Sequence, residues 1–93
     1  MIRNKHLLPN HTFETIGEIN INPHEEIHFF VGMYESVIPQ PSLRLTFTPD
    51  NQGDVLASLV RIEDEGDYSL VYYFHNTGSN IYNLAISTAW SDE

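Results

Sequence analysis

Apolar and polar residues alternate along much of the chain, the pattern of strands that bury one face. Apolar side chains occupy every second position at Ile19 and Ile21, at Leu43, Leu45 and Phe47, at Leu70, Tyr72 and Phe74, and at Tyr82, Leu84 and Ile86, and Trp90 continues the last series four positions later. Turn-forming residues separate these segments at 39–41, 49–53, 65–67 and 76–80. Short strands between closely spaced turns predict an all-β fold, a small antiparallel β-sandwich or barrel of about six to seven strands.

The last two segments predict a β-hairpin closed by the loop Thr77-Gly78-Ser79, with the glycine at a positive φ. In that register Phe74 pairs with Tyr82, and Tyr72 pairs with Leu84, so one face is filled with large apolar side chains. The opposite face is half apolar, which is unusual for a solvent-exposed surface, and it contains Val71, Tyr73, His75, Ile81 and Asn83. We expect this second face to be a binding patch.

Residues 22–35 fit either a helix or a strand. Asn22 followed by Pro23 is a typical helix start, and Glu25 stands where a capping box needs an acid. Alternation favours a strand, in which one side carries Ile27, Phe29, Val31 and Met33. The strand interpretation is preferred because the neighbouring segments are also strands.

The same segment contains His24-Glu25-Glu26-Ile27-His28, which resembles the H-E-x-x-H motif of zincins over these five residues. On a helix this spacing places two imidazoles on one face to hold zinc, with the glutamate as general base. On a strand, His24 and His28 would lie about 13 Å apart, too far to share a metal ion. The strand interpretation therefore predicts no zinc site, and a minimal zinc hydrolase is the alternative that a helix would favour.

Two acidic turns, at residues 50–54 and 63–67, suggest calcium as a ligand, because carboxylates near a glycine are typical of calcium-binding loops. Neither turn matches the twelve-residue calcium-binding loop, which requires a glutamate at its last position. Ordinary turns exposed to solvent explain both acidic segments. A carbohydrate-binding β-sandwich is a related alternative, with Tyr73, Tyr82 and Trp90 as a stacking platform.

The charge balance narrows the class of partner. The 93-residue chain has no cysteine and carries 13 acidic residues against 4 Lys and Arg, a net charge of −9. This acidity argues against direct binding to nucleic acid or to an anionic membrane. Apolar runs are too short to span a bilayer, and no apolar leader is recognised, so we expect a cytoplasmic protein.

Arg3 and Lys5 lie in a segment without acids, so residues 1–11 are predicted to be a flexible basic arm on a single β domain spanning 12–93. No nucleophile elbow or phosphate-binding loop occurs, and no cofactor is expected. The sequence therefore predicts a non-enzymatic acidic interaction module, whose partner is a protein with a basic surface. An inhibitor or immunity-type protein is one form of it, and the same patch would allow a homodimer. The acids expected to steer the partner are Glu63, Asp64, Glu65 and Asp67.

Overall fold

The computed structural model describes residues 13–89, and these form six β-strands and no helix. The strands are β1 (Glu14–Ile21), β2 (Glu26–Glu35), β3 (Ser42–Thr48), β4 (Val55–Asp64), β5 (Asp67–Asn76) and β6 (Tyr82–Ala89). The all-β prediction is confirmed. The basic arm predicted at residues 1–11 lies outside the described residues, as does Trp90.

Two three-stranded antiparallel sheets face each other as a small β-sandwich. The first sheet has the order β1-β6-β3, and the second sheet has the order β2-β5-β4. Only β4 and β5 are consecutive strands that pair with each other; every other connection within residues 13–89 passes from one sheet to the other. The two central strands, β5 and β6, therefore belong to different layers.

This topology contradicts the predicted hairpin between β5 and β6. Tyr82 pairs with Ile21 of β1, and Phe74 pairs with Ile27 of β2, so the two residues meet across the core and not along a ladder. Gly78 does not adopt a positive φ; a Cβ at this position would collide with the Asp54 carboxylate. The glycine is needed for that close approach.

The core lies between the two sheets, as the alternation predicted. Its buried side chains come from both central strands and from the ends of β1 and β4, namely Ile21, Val55, Phe74, Tyr82, Leu84 and Ile86. Leu45, Phe47 and Tyr72 were also predicted to be core residues, and they are half-buried against this cluster. With only three strands in each sheet, the edge strands cover the core incompletely.

Residues 22–35 form a turn followed by β2, so the strand interpretation is confirmed and the helical one is wrong. The Glu25 amide donates to the Asn22 carbonyl at 3.1 Å, and the Asn22 amide donates to Glu25 Oε1 at 2.8 Å. The first bond is the backbone hydrogen bond of a tight turn, and the second is the glutamate half of a capping box; together they close a turn in which His24 has a φ of 64°.

Asn76, at the end of β5, is fully buried and links the connections at one end of the sandwich. Its amide Nδ2 donates to the carbonyls of Ile21, Asn22 and Asn80 at 3.2, 3.1 and 2.7 Å. Its Oδ1 accepts the amide of Gly78 at 2.9 Å. One side chain thus satisfies backbone groups from the end of β1, the turn before β2 and the connection to β6.

Replacing Asn76 by Ala should lower the free energy of unfolding by about 2–4 kcal/mol, because four buried or partly buried backbone groups would lose their partner. Chemical denaturation at neutral pH measures the change. The matched control is Asn83→Ala, which removes one exposed hydrogen bond to Asn20 and should cost less than about 1 kcal/mol. Equal losses in the two variants would contradict the role assigned to Asn76.

Tyr82 ties the core to the loop before β4, because its hydroxyl donates to Asp54 Oδ2. This hydrogen bond to a carboxylate raises the pKa of the Tyr82 hydroxyl. The pKa values of Tyr34 and Tyr72 are also raised, in both cases mainly by burial. All three shifts favour the protonated phenol in the folded state.

The contribution of these three phenols to the free energy of unfolding should therefore be fully present below about pH 10, the pKa of tyrosine in an unfolded chain. It should fall as the pH rises through the folded-state pKa values. Melting temperatures measured between pH 9 and pH 11 test this. Tyr82→Phe should make the alkaline decline shallower, because it removes one of the three phenols whose pKa is raised. A decline with the same slope in the Tyr82 variant would contradict the assignment.

Candidate functional site

The outward surface of the second sheet is unusually apolar. The registers of β2-β5-β4 place five rows of side chains on it, and this surface is called here the outer apolar face. From one end to the other the rows are Glu26–His75–Leu56, His28–Tyr73–Ser58, Phe30–Val71–Val60, Met33–Ser69–Ile62 and Glu35–Asp67–Asp64. Its middle is aliphatic and aromatic, and its two ends are polar.

Six large apolar side chains on this face are exposed to solvent. Their exposed fractions are 54% for Phe30, 63% for Met33, 56% for Leu56, 38% for Val60, 46% for Ile62 and 45% for Tyr73. Val71, at the centre, is buried beneath its neighbours on the flanking strands. Scattered exposed apolar residues are ordinary, but a contiguous group of this kind marks an interaction surface.

An irregularity in β2 increases the apolar area. The pairing with β5 shifts between Phe30 and Gly32, so Phe30 and Met33 lie on the same face although three positions separate them. The predicted alternation placed Met33 beside Ile27 and Phe29, which pack against the core; the bulge moves it to the outside. That part of the strand prediction is therefore wrong.

The outer apolar face has acids at both ends and no Lys or Arg among residues 13–89. Glu26 lies at one end, and Glu35, Asp64 and Asp67 lie at the other. The two basic residues in this range are placed elsewhere. Arg61 stacks on the Tyr68 ring at 3.7 Å and pairs with Glu63, and Arg44 lies 3.9 Å from the centre of the Phe13 ring.

A shallow concavity of about 360 Å³ opens at the Glu26 end. It is bounded by the side chains of Glu26, His28, Leu56, Ser58, Tyr73 and His75. The rings of His28 and Tyr73 lie 5.9 Å apart, and His75 Nε2 is 3.9 Å from a Glu26 carboxylate oxygen. Aromatic walls beside a carboxylate suit a cationic side chain, through contact with the ring face and charge attraction.

The structure brings together some of the residues predicted as a binding patch and separates others. Val71, Tyr73 and His75 share the outer apolar face with Asp64 and Asp67. Glu63 pairs with Tyr68 in a row that faces inward, and Glu65 lies in the turn between β4 and β5.

Ile81 and Asn83 do not lie on this face, although the hairpin register had predicted that they would. Ile81 precedes β6, and Asn83 lies between Asn20 and Thr48 on the first sheet, where its side chain donates to Asn20. The predicted single patch is therefore wrong for these two residues, because β5 and β6 occupy different layers.

Most of the exposed apolar residues were not predicted as site residues. They are Phe30, Met33, Leu56, Val60 and Ile62. A signal was present in the sequence, since β4 carries apolar residues at both even and odd positions. Such a strand has apolar side chains on both faces, and in a two-layer sandwich only one of those faces can be covered.

The alternative sites lack the geometry that their chemistry requires. The H-E-x-x-H segment is not helical, and residues 13–89 contain no cluster of three His, Asp or Glu side chains suited to a metal ion. In the acidic turn at residues 50–54, the Asp54 carboxylate is occupied by Tyr82. Tyr82 is also buried, so it cannot form a stacking platform with Tyr73.

None of the described residues forms a helix that is long and apolar enough to cross a membrane. Comparison with known proteins found no matching family model, no similar curated protein and no similar solved structure. The surface chemistry of the chain is therefore the basis for a proposal about function.

The adjacent residues Phe29 and Phe30 test which face is packed. Phe29→Ala should cost about 2–3 kcal/mol of folding free energy, because that ring contacts the core. Phe30→Ala should cost less than about 1 kcal/mol, since that ring is more than half exposed. Urea denaturation of both variants measures the difference, and a larger loss for Phe30 would show that the outer apolar face is covered.

Proposed function

We propose that the chain is a non-enzymatic protein-interaction domain that binds a partner protein through the outer apolar face. The main observation that supports this proposal is the group of six exposed apolar side chains in register on one sheet. The outward surface of the first sheet supplies a contrast, because its rows consist mainly of Thr, Ser, Asn and Ala. An apolar centre with a polar rim is the usual anatomy of a protein-binding surface.

Charge supports a partner that is basic where it makes contact. The face presents carboxylates at both ends and no Lys or Arg from residues 13–89, within a chain of net charge −9. Opposite charges at the rim accelerate encounter and reject acidic competitors. An inhibitor or immunity-type protein that covers a basic surface is one form that this proposal takes.

Tyr73 is the proposed anchor of the interaction. It lies on the central strand of the face, flanked by His28 and Ser58, and forms part of the concavity. Tyrosine is enriched among residues that dominate binding energy, since a rigid ring contributes a large contact area at low entropic cost. We propose that a Lys or Arg of the partner enters the concavity between the rings and Glu26.

The test uses two synthetic peptides, one of alternating Lys and Leu and one of alternating Glu and Leu. We expect the Lys-Leu peptide to bind with NMR shift changes confined to the outer apolar face, and the Glu-Leu peptide to bind much more weakly. Affinity should fall as salt rises, because screening weakens attraction between exposed charges. Shift changes located mainly on the first sheet would overturn the proposal.

Tyr73→Ala should weaken binding of the Lys-Leu peptide at least tenfold while leaving the melting temperature nearly unchanged, because the ring is a contact residue and is 45% exposed. The matched control is Thr46→Ala, an exposed position on the outward surface of the first sheet, which should bind as the unmodified chain does. Equal affinity of the Tyr73 variant and the unmodified chain would contradict its role as anchor.

A further inference from the structure

The four edge strands of the sandwich differ in how they avoid pairing with other chains. β1 is irregular between Thr15 and Gly17, and β2 is irregular between Phe30 and Gly32. β3 is bracketed by prolines at positions 39, 41 and 49. Bulges and prolines at an edge are common devices against unwanted strand addition.

β4 has none of these devices. It is ten residues long, pairs with β5 in unbroken register, and has no described strand on its other side. Eight of its ten residues are exposed. Apart from the Val55 carbonyl, which accepts a hydrogen bond from Asn51 Nδ2 at 3.3 Å, its edge presents a row of backbone donors and acceptors to solvent, which is the template that an added strand needs.

The charges of β4 favour one register for pairing with an added strand. Residues 55–60 carry no charge, whereas Glu63 and Asp64 follow at the end of the strand. An antiparallel partner of the same sequence that is centred near Glu63 would place carboxylates opposite carboxylates, which is unfavourable. Centring the pair on Ser58 keeps both acidic ends outside the ladder, with Leu56 opposite Val60 and Ala57 opposite Leu59.

The backbone geometry agrees with this register. The turn between β4 and β5 has positive φ values at Glu65 and Gly66, 49° and 88°, as in a two-residue type I′ hairpin. Asp64 and Asp67 are then a hydrogen-bonded pair, and bonding to β5 alternates along the strand. The free amides toward the edge belong to Val55, Ala57, Leu59 and Arg61, so two copies centred on Ser58 exchange bonds on both sides of it.

We propose that residues 55–61 of β4 pair antiparallel with the same residues of a second copy of the chain, about a two-fold axis at Ser58. The two second sheets would then form one continuous six-stranded sheet, with the two outer apolar faces side by side. A seven-residue ladder is a small interface, so the dimer should be reversible and concentration-dependent. This inference concerns an edge and does not rest on the proposed function of the face.

Disulfide trapping tests the register, because the chain has no cysteine of its own. In this dimer the two Ser58 Cα atoms lie about 4.5 Å apart, which a disulfide can bridge. Ser58→Cys should therefore form a covalent dimer under mild oxidation. The matched control is Ile62→Cys, exposed on the same strand and face, whose two copies would lie about 26 Å apart and should form no covalent dimer. Absence of a covalent dimer in the Ser58 variant, or equal cross-linking of both variants, would overturn the proposal.

Ala57→Pro tests the ladder without a cross-link. Its amide faces the open edge, so a proline there removes no internal hydrogen bond, and a folded variant should sediment as a monomer at concentrations where the unmodified chain dimerises. Hydrogen exchange gives a second measurement in the unmodified chain, since the amides of Ala57 and Leu59 should become protected as concentration rises. Protection that does not change with concentration would mean that the chain covers its own edge, and would overturn the dimer.

The dependence of each equilibrium on salt concentration distinguishes the proposed dimer from the proposed binding function. Two chains of net charge −9 repel each other, so screening should strengthen the dimer while it weakens binding of the Lys-Leu peptide. Tyr73→Ala should leave the disulfide-trapping result unchanged. Loss of peptide binding with retained dimerisation, or the reverse, shows which of the two proposals fails.

Discussion

The buried amide of Asn76 is the interaction on which the architecture depends. The β1–β2 and β5–β6 connections meet at its end of the sandwich, and each brings backbone groups that bond to Asn76 in a buried or partly buried position. Asn76 donates to carbonyls that follow β1 and precede β6, and it accepts the amide of Gly78. A buried polar group is costly unless it is bonded, so the side chain and these loops stabilise only one mutual arrangement. That arrangement directs the chain after β5 away from its own sheet.

The consequence is a two-layer protein with two very different outward surfaces. Because β5 and β6 are central strands in separate sheets, their apolar residues face each other and fill the interior. The first sheet turns Thr, Ser and Asn outward, whereas the second sheet turns Phe30, Met33 and Leu56 outward. Residues 13–89 form no third layer that would cover them. The apolar residues that the fold leaves outside are the physical basis for the interaction that we propose.

Much of the fold could be predicted from the order of residue types. Leu43, Leu45 and Phe47 alternate in β3, and Leu84 and Ile86 alternate in β6; these side chains do face the interior. The candidate site was predicted less well. Tyr73 and His75 were identified because they flank Phe74 on β5 and point to the face opposite to it. Phe30 and Met33 reach the same face through a bulge in β2, which alternation does not reveal.

The sequence by itself determined where the strands run and which side of most strands faces the core, because alternation is a property of neighbouring residues. It also determined the acidic charge, which favours a basic contact surface in the partner that we propose. The tertiary structure alone decided which strands pair. The loop at residues 77–79 has a length that suits a hairpin, yet here it joins two sheets. Thr77 at its start bonds to Asp54, and the adjacent Asn76 bonds to Ile21 and Asn22, all of which are distant along the chain. Pairing depends on such non-local contacts, and for that reason Tyr73 and Asn83 lie on opposite sides of the molecule.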